Sequence, residues 1–128
     1  MPRKAASTIR SGRRAEDLAR HHLQQAGLRL LQRNFRCSRG EIDLVMRDGD
    51  SLVFVEVRYR RRDRCGSGAE SVDRRKQARI VACARYFLLC HPRLAERPAR
   101  FDVVAVSGGE PMPGFRVDWI RDAFRVDE

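Results

Sequence analysis

Apolar residues recur along this chain first at helical spacing and then at strand spacing. Ala15, Leu18, Ala19, His22, Leu23 and Ala26 fall at three- and four-residue steps and so share one helix face. Ser11-Gly12 precedes the pattern. Glu16 and Asp17 lie in its first turns, where the helix dipole favours acids, and Gly27 supplies a stop. Residues 28–35 set Leu28, Leu30 and Phe35 among arginines and predict a strand. After a polar turn at 36–40, the stretches 40–45 and 51–58 predict two more strands, joined by Arg47-Asp48-Gly49-Asp50. Asp48-Gly49 is a hairpin signal. Val53-Phe54-Val55 with Val57 is a continuous apolar run, as expected of a central strand covered on both faces.

The second half repeats the alternation of periods. Residues 59–68, with Arg60, Arg61, Arg62 and Arg64, read as an exposed loop. Residues 70–90 predict a long helix whose apolar face is Ile80, Val81, Ala84, Phe87 and Leu88, capped by Ser71 or Asp73 and ended by His91-Pro92. Residues 100–106 predict a strand, 107–114 a Gly/Pro loop, 116–120 a short strand, and the last residues a frayed helical turn. The order is therefore α-β-β-β-α-β with a small tail. That is an α/β fold on a mixed sheet flanked by helices, and the second helix permits a parallel crossover.

Composition narrows the class. At 128 residues, 42% hydrophobic and 34% charged, the chain fits one globular domain. The reading is a flexible basic arm at 1–10 and a single domain at 11–128. No apolar run approaches the ~20 residues of a membrane span, and the basic N-terminus lacks the apolar core of a signal peptide, so a cytoplasmic protein without a membrane partner is expected. Cys37, Cys65, Cys83 and Cys90 form no C-x-x-C pair, which argues against a disulfide framework and a structural zinc site. The net charge is +10, from 27 basic and 17 acidic residues. Residues 1–64 carry +8 of it, and only Lys4 and Lys76 are lysines. Arginine-rich charge held in one half is the electrostatic footprint of a nucleic-acid binder.

The acids stand where a sheet normally buries hydrocarbon. A hairpin turning at 48–50 sets Asp43 opposite Val55 or Glu56, on strands ~4.8 Å apart. Two carboxylates that close repel, and a magnesium ion between them removes the penalty. Alternation puts Glu41 on the face of Asp43, and Arg58 on the face of Glu56. Glu41 alone reads as ordinary surface decoration. Asp43 and Glu56 together read as a site, because Glu56 interrupts a run of valines that looks doubly buried.

The motifs Gly12-Arg13-Arg14-Ala15-Glu16-Asp17-Leu18-Ala19, Arg33-Asn34-Phe35, Gly40-Glu41-Ile42-Asp43-Leu44-Val45, Phe54-Val55-Glu56-Val57-Arg58 and Phe101-Asp102-Val103-Val104 resemble the YraN family of bacterial proteins. That family is similar to archaeal Holliday junction resolvases of the PD-(D/E)xK nuclease superfamily. The resemblance spans about residues 11–120 and implies a restriction-endonuclease-like core. It puts Asp43 and Glu56 at metal-ligand positions, Glu16 as the acid that completes the site, and Arg58 at the lysine position. Lys76-Gln77 matches a polar pair facing the site. Ile42 instead of proline before Asp43 is a minor departure. Arg58 is a larger one, since an arginine does not give up its proton and cannot be a general base.

The implied activity is a magnesium-dependent endonuclease, with manganese as an alternative ion, acting on branched or structured DNA. Arg60, Arg61, Arg62 and Arg64 would clamp flanking phosphates, and resolvase-like relatives imply a homodimer. The alternative is a non-catalytic nucleic-acid-binding module on the same fold.

Overall fold

The structure is a computed structural model and describes residues 2–61, 72–109 and 112–126. Its elements are α1 (Pro2–Gln25), β1 (Arg29–Cys37), β2 (Gly40–Asp48), β3 (Ser51–Arg61), α2 (Arg74–Cys90), β4 (Ala99–Gly109) and β5 (Met112–Phe124). The strands form one sheet in the order β1-β2-β3-β4-β5. Neighbours are antiparallel except β3 and β4, which the α2 crossover makes parallel. This mixed sheet with two helices is consistent with a restriction-endonuclease-like core.

Two apolar clusters lie on opposite faces of the sheet. Leu52 and Phe54 of β3 join Ile42, Val45, Phe101 and Val103 under Ile80, Cys83, Ala84 and Phe87 of α2. Val53 and Val55 join Leu44, Met46, Val104 and Val106 under Ala15, Ala19 and Leu23 of α1. Successive strand residues point to opposite faces. The unbroken apolar run in β3 therefore reports burial on both sides, as its sequence predicts.

Several element boundaries differ from expectation: β4 runs to Gly109 and β5 starts at Met112 where a loop at 107–114 is expected, because the two strands stay paired there, and four further differences stand out. First, α1 begins at Pro2, so Ser11-Gly12 lies within the helix and not before it. Second, β3 continues to Arg61 because its parallel pairing with β4 runs on through Arg60↔Ser107 and Arg61↔Gly108. Arg60 and Arg61 thus belong to a strand and not to a loop, while Arg62 and Arg64 lie outside the described residues. Third, among the described residues the tail is one long strand, β5, with no helical turn. It stays in the sheet past a bulge at Asp122 (φ 51°), and Phe124 stacks on Phe101 at 4.9 Å between ring centroids. Fourth, α2 starts at Arg74, one residue after the cap.

That cap bears on the site. Asp73 has extended backbone angles, and its Oδ1 accepts the Lys76 N–H at 2.8 Å. The bond satisfies one of the open donors of the first turn and fixes the turn that carries the Lys76 side chain. Asp73→Ala is expected to lower stability by about 1 kcal/mol. Urea denaturation measures this; an unchanged midpoint would show that the cap contributes nothing.

Candidate metal centre

The β2–β3 hairpin pairs Leu44 with Val55, and continuing that register brings Asp43 opposite Glu56. The regular ladder stops at Leu44. Beyond it, Asp43 Oδ2 accepts the Val57 N–H at 2.7 Å, so a side chain takes the place of a backbone acceptor where the strands part. The neighbouring strand is irregular at the same level. Asn34 of β1 has φ 51°, a left-handed conformation that asparagine tolerates better than most residues. Its amide Nδ2 donates to Glu16 Oε1 at 3.0 Å and to Glu41 Oε1 at 2.8 Å. One side-chain amide thereby ties an acid of α1 to an acid of β2, using both of its protons.

The result is a group of three carboxylates. Glu16, Glu41 and Asp43 each offer an oxygen, and these oxygens lie within 4.8 Å of one another. Burial, and then the charge of Glu56, pushes the Asp43 carboxyl up to about 8. The bond from Val57 opposes the shift, while Glu16 and Glu41 add to it. A half-buried acid raised by burial and then by neighbouring acids is one whose charged form a cation would favour. The donors are all oxygens, which suits a hard divalent cation such as magnesium or manganese. The residues present therefore fit such an ion.

Glu56 stands to one side of this group. It follows Leu52 and Phe54 on the α2-facing side of β3, is 6% exposed, and meets Lys76 Nζ at 2.9 Å through Oε1. Burial raises its carboxyl above the ordinary range, although the hydrogen bond and charge of Lys76 and the charge of Arg58 pull it down. The sequence reading sets Glu41, Asp43, Glu56 and Arg58 on one face of the sheet. The structure brings Glu41 and Asp43 to Glu16 of α1, and turns Glu56 toward α2. The strict alternation behind that reading fails at Asp43. Ile42 packs on the α2 side and Leu44 on the α1 side, although they are two residues apart.

The remaining candidates are spread around this centre. Arg58 is half-buried on β3, two residues beyond Glu56. Gln77 turns its amide back, donating from Nε2 to the Val72 carbonyl at 2.9 Å. Arg60 lies on β3, and its Nε is buried with no hydrogen-bond partner among the described residues. Asn34 has no site role in the sequence reading, and Glu41 figures there only as decoration. The available signal is a strand whose centre holds an asparagine three residues from the turn-flanking cysteine and directly before a core phenylalanine. Alternation alone gives that asparagine no function.

The mixed five-stranded sheet flanked by two helices makes this an α/β protein, of an architecture consistent with a nuclease-like core. The family model described as "Uncharacterised protein family UPF0102" matches residues 15–106. The chain belongs to this family, the YraN family of the motifs above. It is 55% identical over 123 residues to a UPF0102 protein of Xanthomonas oryzae pv. oryzae (strain PXO99A), covering 96% of this chain and 98% of that one. It is 54% identical over 114 residues to a UPF0102 protein of Stutzerimonas stutzeri (strain A1501), covering 89% and 93%. A UPF0102 protein of Pseudomonas fluorescens is 49% identical over 118 residues, covering 92% and 95%.

Proposed function

We propose that this protein is a metal-dependent endonuclease that cuts the DNA backbone at branched or otherwise structured sites. The observation that carries the reading is the environment of Asp43. It is a half-buried carboxylate anchored by Val57 N–H and crowded by Glu16, Glu41 and Glu56. Asp43, Glu16 and Glu41 would hold a magnesium or manganese ion, with Glu56 beside them. When bound, such an ion supplies Lewis acidity toward a phosphodiester and the water that attacks it.

The chain's own residues supply the rest. Asn34 holds Glu16 and Glu41 together. Lys76 fixes Glu56 from the first turn of α2. Arg58, on the strand of Glu56, stabilises charge that develops on the scissile phosphate. Arg60 and Arg61, continuing the same strand, bind flanking phosphates. No helix among the described residues is long and apolar enough to cross a membrane.

A second reading, a nucleic-acid-binding module without cleavage, is favoured by Arg58 at the lysine position. One assay separates the two. Purified protein is incubated with flap, junction and linear DNA in magnesium or manganese. Cleavage is expected, with preference for the branched substrates, and Asp43→Asn and Glu56→Gln are each expected to reduce it at least ~100-fold. Undiminished cutting by both variants overturns the site. Absence of cutting with either ion, alongside salt-sensitive binding that Asp43→Asn leaves intact, selects the binding module.

A further inference from the structure

A second reactive centre lies where the β1–β2 turn meets α2. Cys37 ends β1 and Cys83 lies in the middle of α2, yet Cys83 Sγ comes within 3.6 Å of the carbonyl of Gly40, the residue paired with Cys37 across the turn. The helix approaches the turn closely here. A Cβ added to Gly40 would stand 3.7 Å from that of Arg79, one turn before Cys83. Cys83 is fully buried, and its Sγ lies 3.6 Å from the Gly40 carbonyl and 3.8 Å from the Phe35 carbonyl. Cys37 is only half-buried, and its Sγ accepts the Arg39 N–H at 3.3 Å. It also lines a cavity of about 580 Å³ whose other walls include Arg36, Arg39 and Arg85.

These surroundings differ in a way that gives the thiols different chemistry. Burial opposes ionisation of Cys37, but hydrogen bonds from Cys83 and from the Arg39 and Gly40 amides, with the charge of Arg39, hold its thiol below the ordinary value. Burial, and then the neighbouring Cys37, pushes Cys83 up to about 12. Reactive cysteines sit in partly exposed, electropositive places, and inert ones sit in apolar interiors. Here one of each flanks Gly40, and neither belongs to the carboxylate centre.

We propose that Cys37 and Cys83 form a peroxide-oxidisable thiol pair, in which Cys37 reacts first and Cys83 closes a reversible disulfide. The Cys37 thiolate attacks a hydroperoxide such as hydrogen peroxide. The O–O bond breaks, an S–O bond forms, and hydroxide leaves, giving the Cys37 sulfenic acid. Cys83 sulfur then attacks the Cys37 sulfur; the S–O bond breaks, the Cys83 proton joins the departing oxygen, and water leaves. Two thiols lose two electrons to one peroxide, so the step needs no other oxidant. The new bond joins the hairpin carrying Glu41 to the helix carrying Lys76.

Tryptic mapping reads the outcome, because cleavage after arginine puts each cysteine in its own peptide. Cys37 falls in 37–39, Cys65 in 65–74, Cys83 in 80–85 and Cys90 in 86–93. Full-length protein is treated with hydrogen peroxide, its free thiols are blocked, and it is digested without reductant. The expected product is 37–39 linked to 80–85, abolished by dithiothreitol treatment. In Cys83→Ala, Cys37 is expected as a sulfenic acid trapped by a cyclic dione. In Cys37→Ser, whose substitution is at a half-buried position, 80–85 is expected to stay unmodified. The proposal is overturned if 37–39 is linked to 65–74 or 86–93 in preference to 80–85. It is equally overturned if peroxide leaves 37–39 unmodified, or carries it to the sulfinic acid while 80–85 stays free.

Discussion

Asp43→Asn is expected to stabilise the metal-free protein at alkaline pH and to remove its response to divalent ions. The sign follows from the direction of the shift. The folded carboxyl titrates near 8, above the ~3.9 of an unfolded aspartate. Its contribution to stability is therefore complete below about pH 4 and is lost as pH rises through 8. Asparagine cannot ionise, yet its side-chain oxygen still accepts the Val57 N–H that Asp43 accepts at 2.7 Å.

In the presence of a chelator, wild type and variant should unfold alike near pH 4 and diverge as pH rises to 9. The expected gap there is about 3 kcal/mol, or roughly 10 °C in Tm. Repulsion among Glu16, Glu41, Asp43 and Glu56 is shared, and one proton relieves several pairs at once. That is why the gap falls short of the full shift in one group. Manganese at a hundred times its Kd should restore about 2.7 kcal/mol to wild type. It should leave Asp43→Asn unmoved. Wild-type affinity should rise about tenfold per pH unit up to pH 8, as the ion displaces the Asp43 proton. Identical pH profiles for the two proteins in chelator would refute the carboxylate crowding on which the site rests.

The sheet and its chemistry were legible in the sequence to different depths. Alternation and apolar runs identify the strands because burial leaves a period in the residues themselves. Val53 to Val57 reveals a doubly covered strand before any partner is known. The hairpin at Asp48-Gly49 has a short turn, and turn length fixes register, so the meeting of Asp43 with Glu56 can be counted from the sequence. The facing of these side chains cannot. A left-handed Asn34 and a parting of β2 from β3 at Asp43 break the period of two on which facing depends. Both are tertiary outcomes, settled when α1 delivers Glu16 to Asn34.

Glu41 illustrates the same limit. On β2 by itself it is one more acid on a strand. Asn34 lies 7 residues from Glu41 and 18 from Glu16 in the chain. Only the fold puts all three in contact. The long tail strand is hidden for a related reason. Residues 116–124 mix charges, aromatics and small apolar residues without clean alternation, because a bulge at Asp122 shifts the register between Phe101 and Val103. A bulge also needs a partner group, and that group is Asp102.

Asp102→Ala is expected to cost 3–5 kcal/mol, the largest loss from any single substitution considered for this fold. Asp102 is 0% exposed on β4. Its Oδ1 accepts the Asp122 N–H at 2.9 Å and its Oδ2 accepts Trp119 Nε1 at 2.9 Å. Arg100 Nε donates to the same carboxylate, at 3.0 Å to Oδ1, and Arg100 also reaches Asp48 Oδ2 at 2.9 Å. Burial opposes the charge of Arg100, but Asp102 and Asp48 hold its guanidinium above the ordinary range. One carboxylate thus satisfies the backbone of the β5 bulge, an indole and a guanidinium. Alanine leaves the Asp122 N–H and the indole without this acceptor and leaves Arg100 with Asp48 alone, and an unsatisfied buried donor costs the full desolvation penalty.

Asparagine should be little better than alanine, since it sets an amide donor among donors. Trp119→Phe, which removes one donor and keeps the carboxylate otherwise bonded, should cost only about 1–2 kcal/mol. Urea midpoints with an unchanged m-value measure each loss. A loss under 1 kcal/mol for Asp102→Ala would mean that the bulge is held by packing of Phe101 on Phe124 and not by the carboxylate. The manganese response separates this role from the site. Among the described residues Asp102 bonds to Arg100, Trp119 and Asp122, all on β4 and β5, so folded Asp102→Ala should bind the ion as wild type does. Loss of that response with the fold intact would instead move Asp102 from the scaffold into the metal centre.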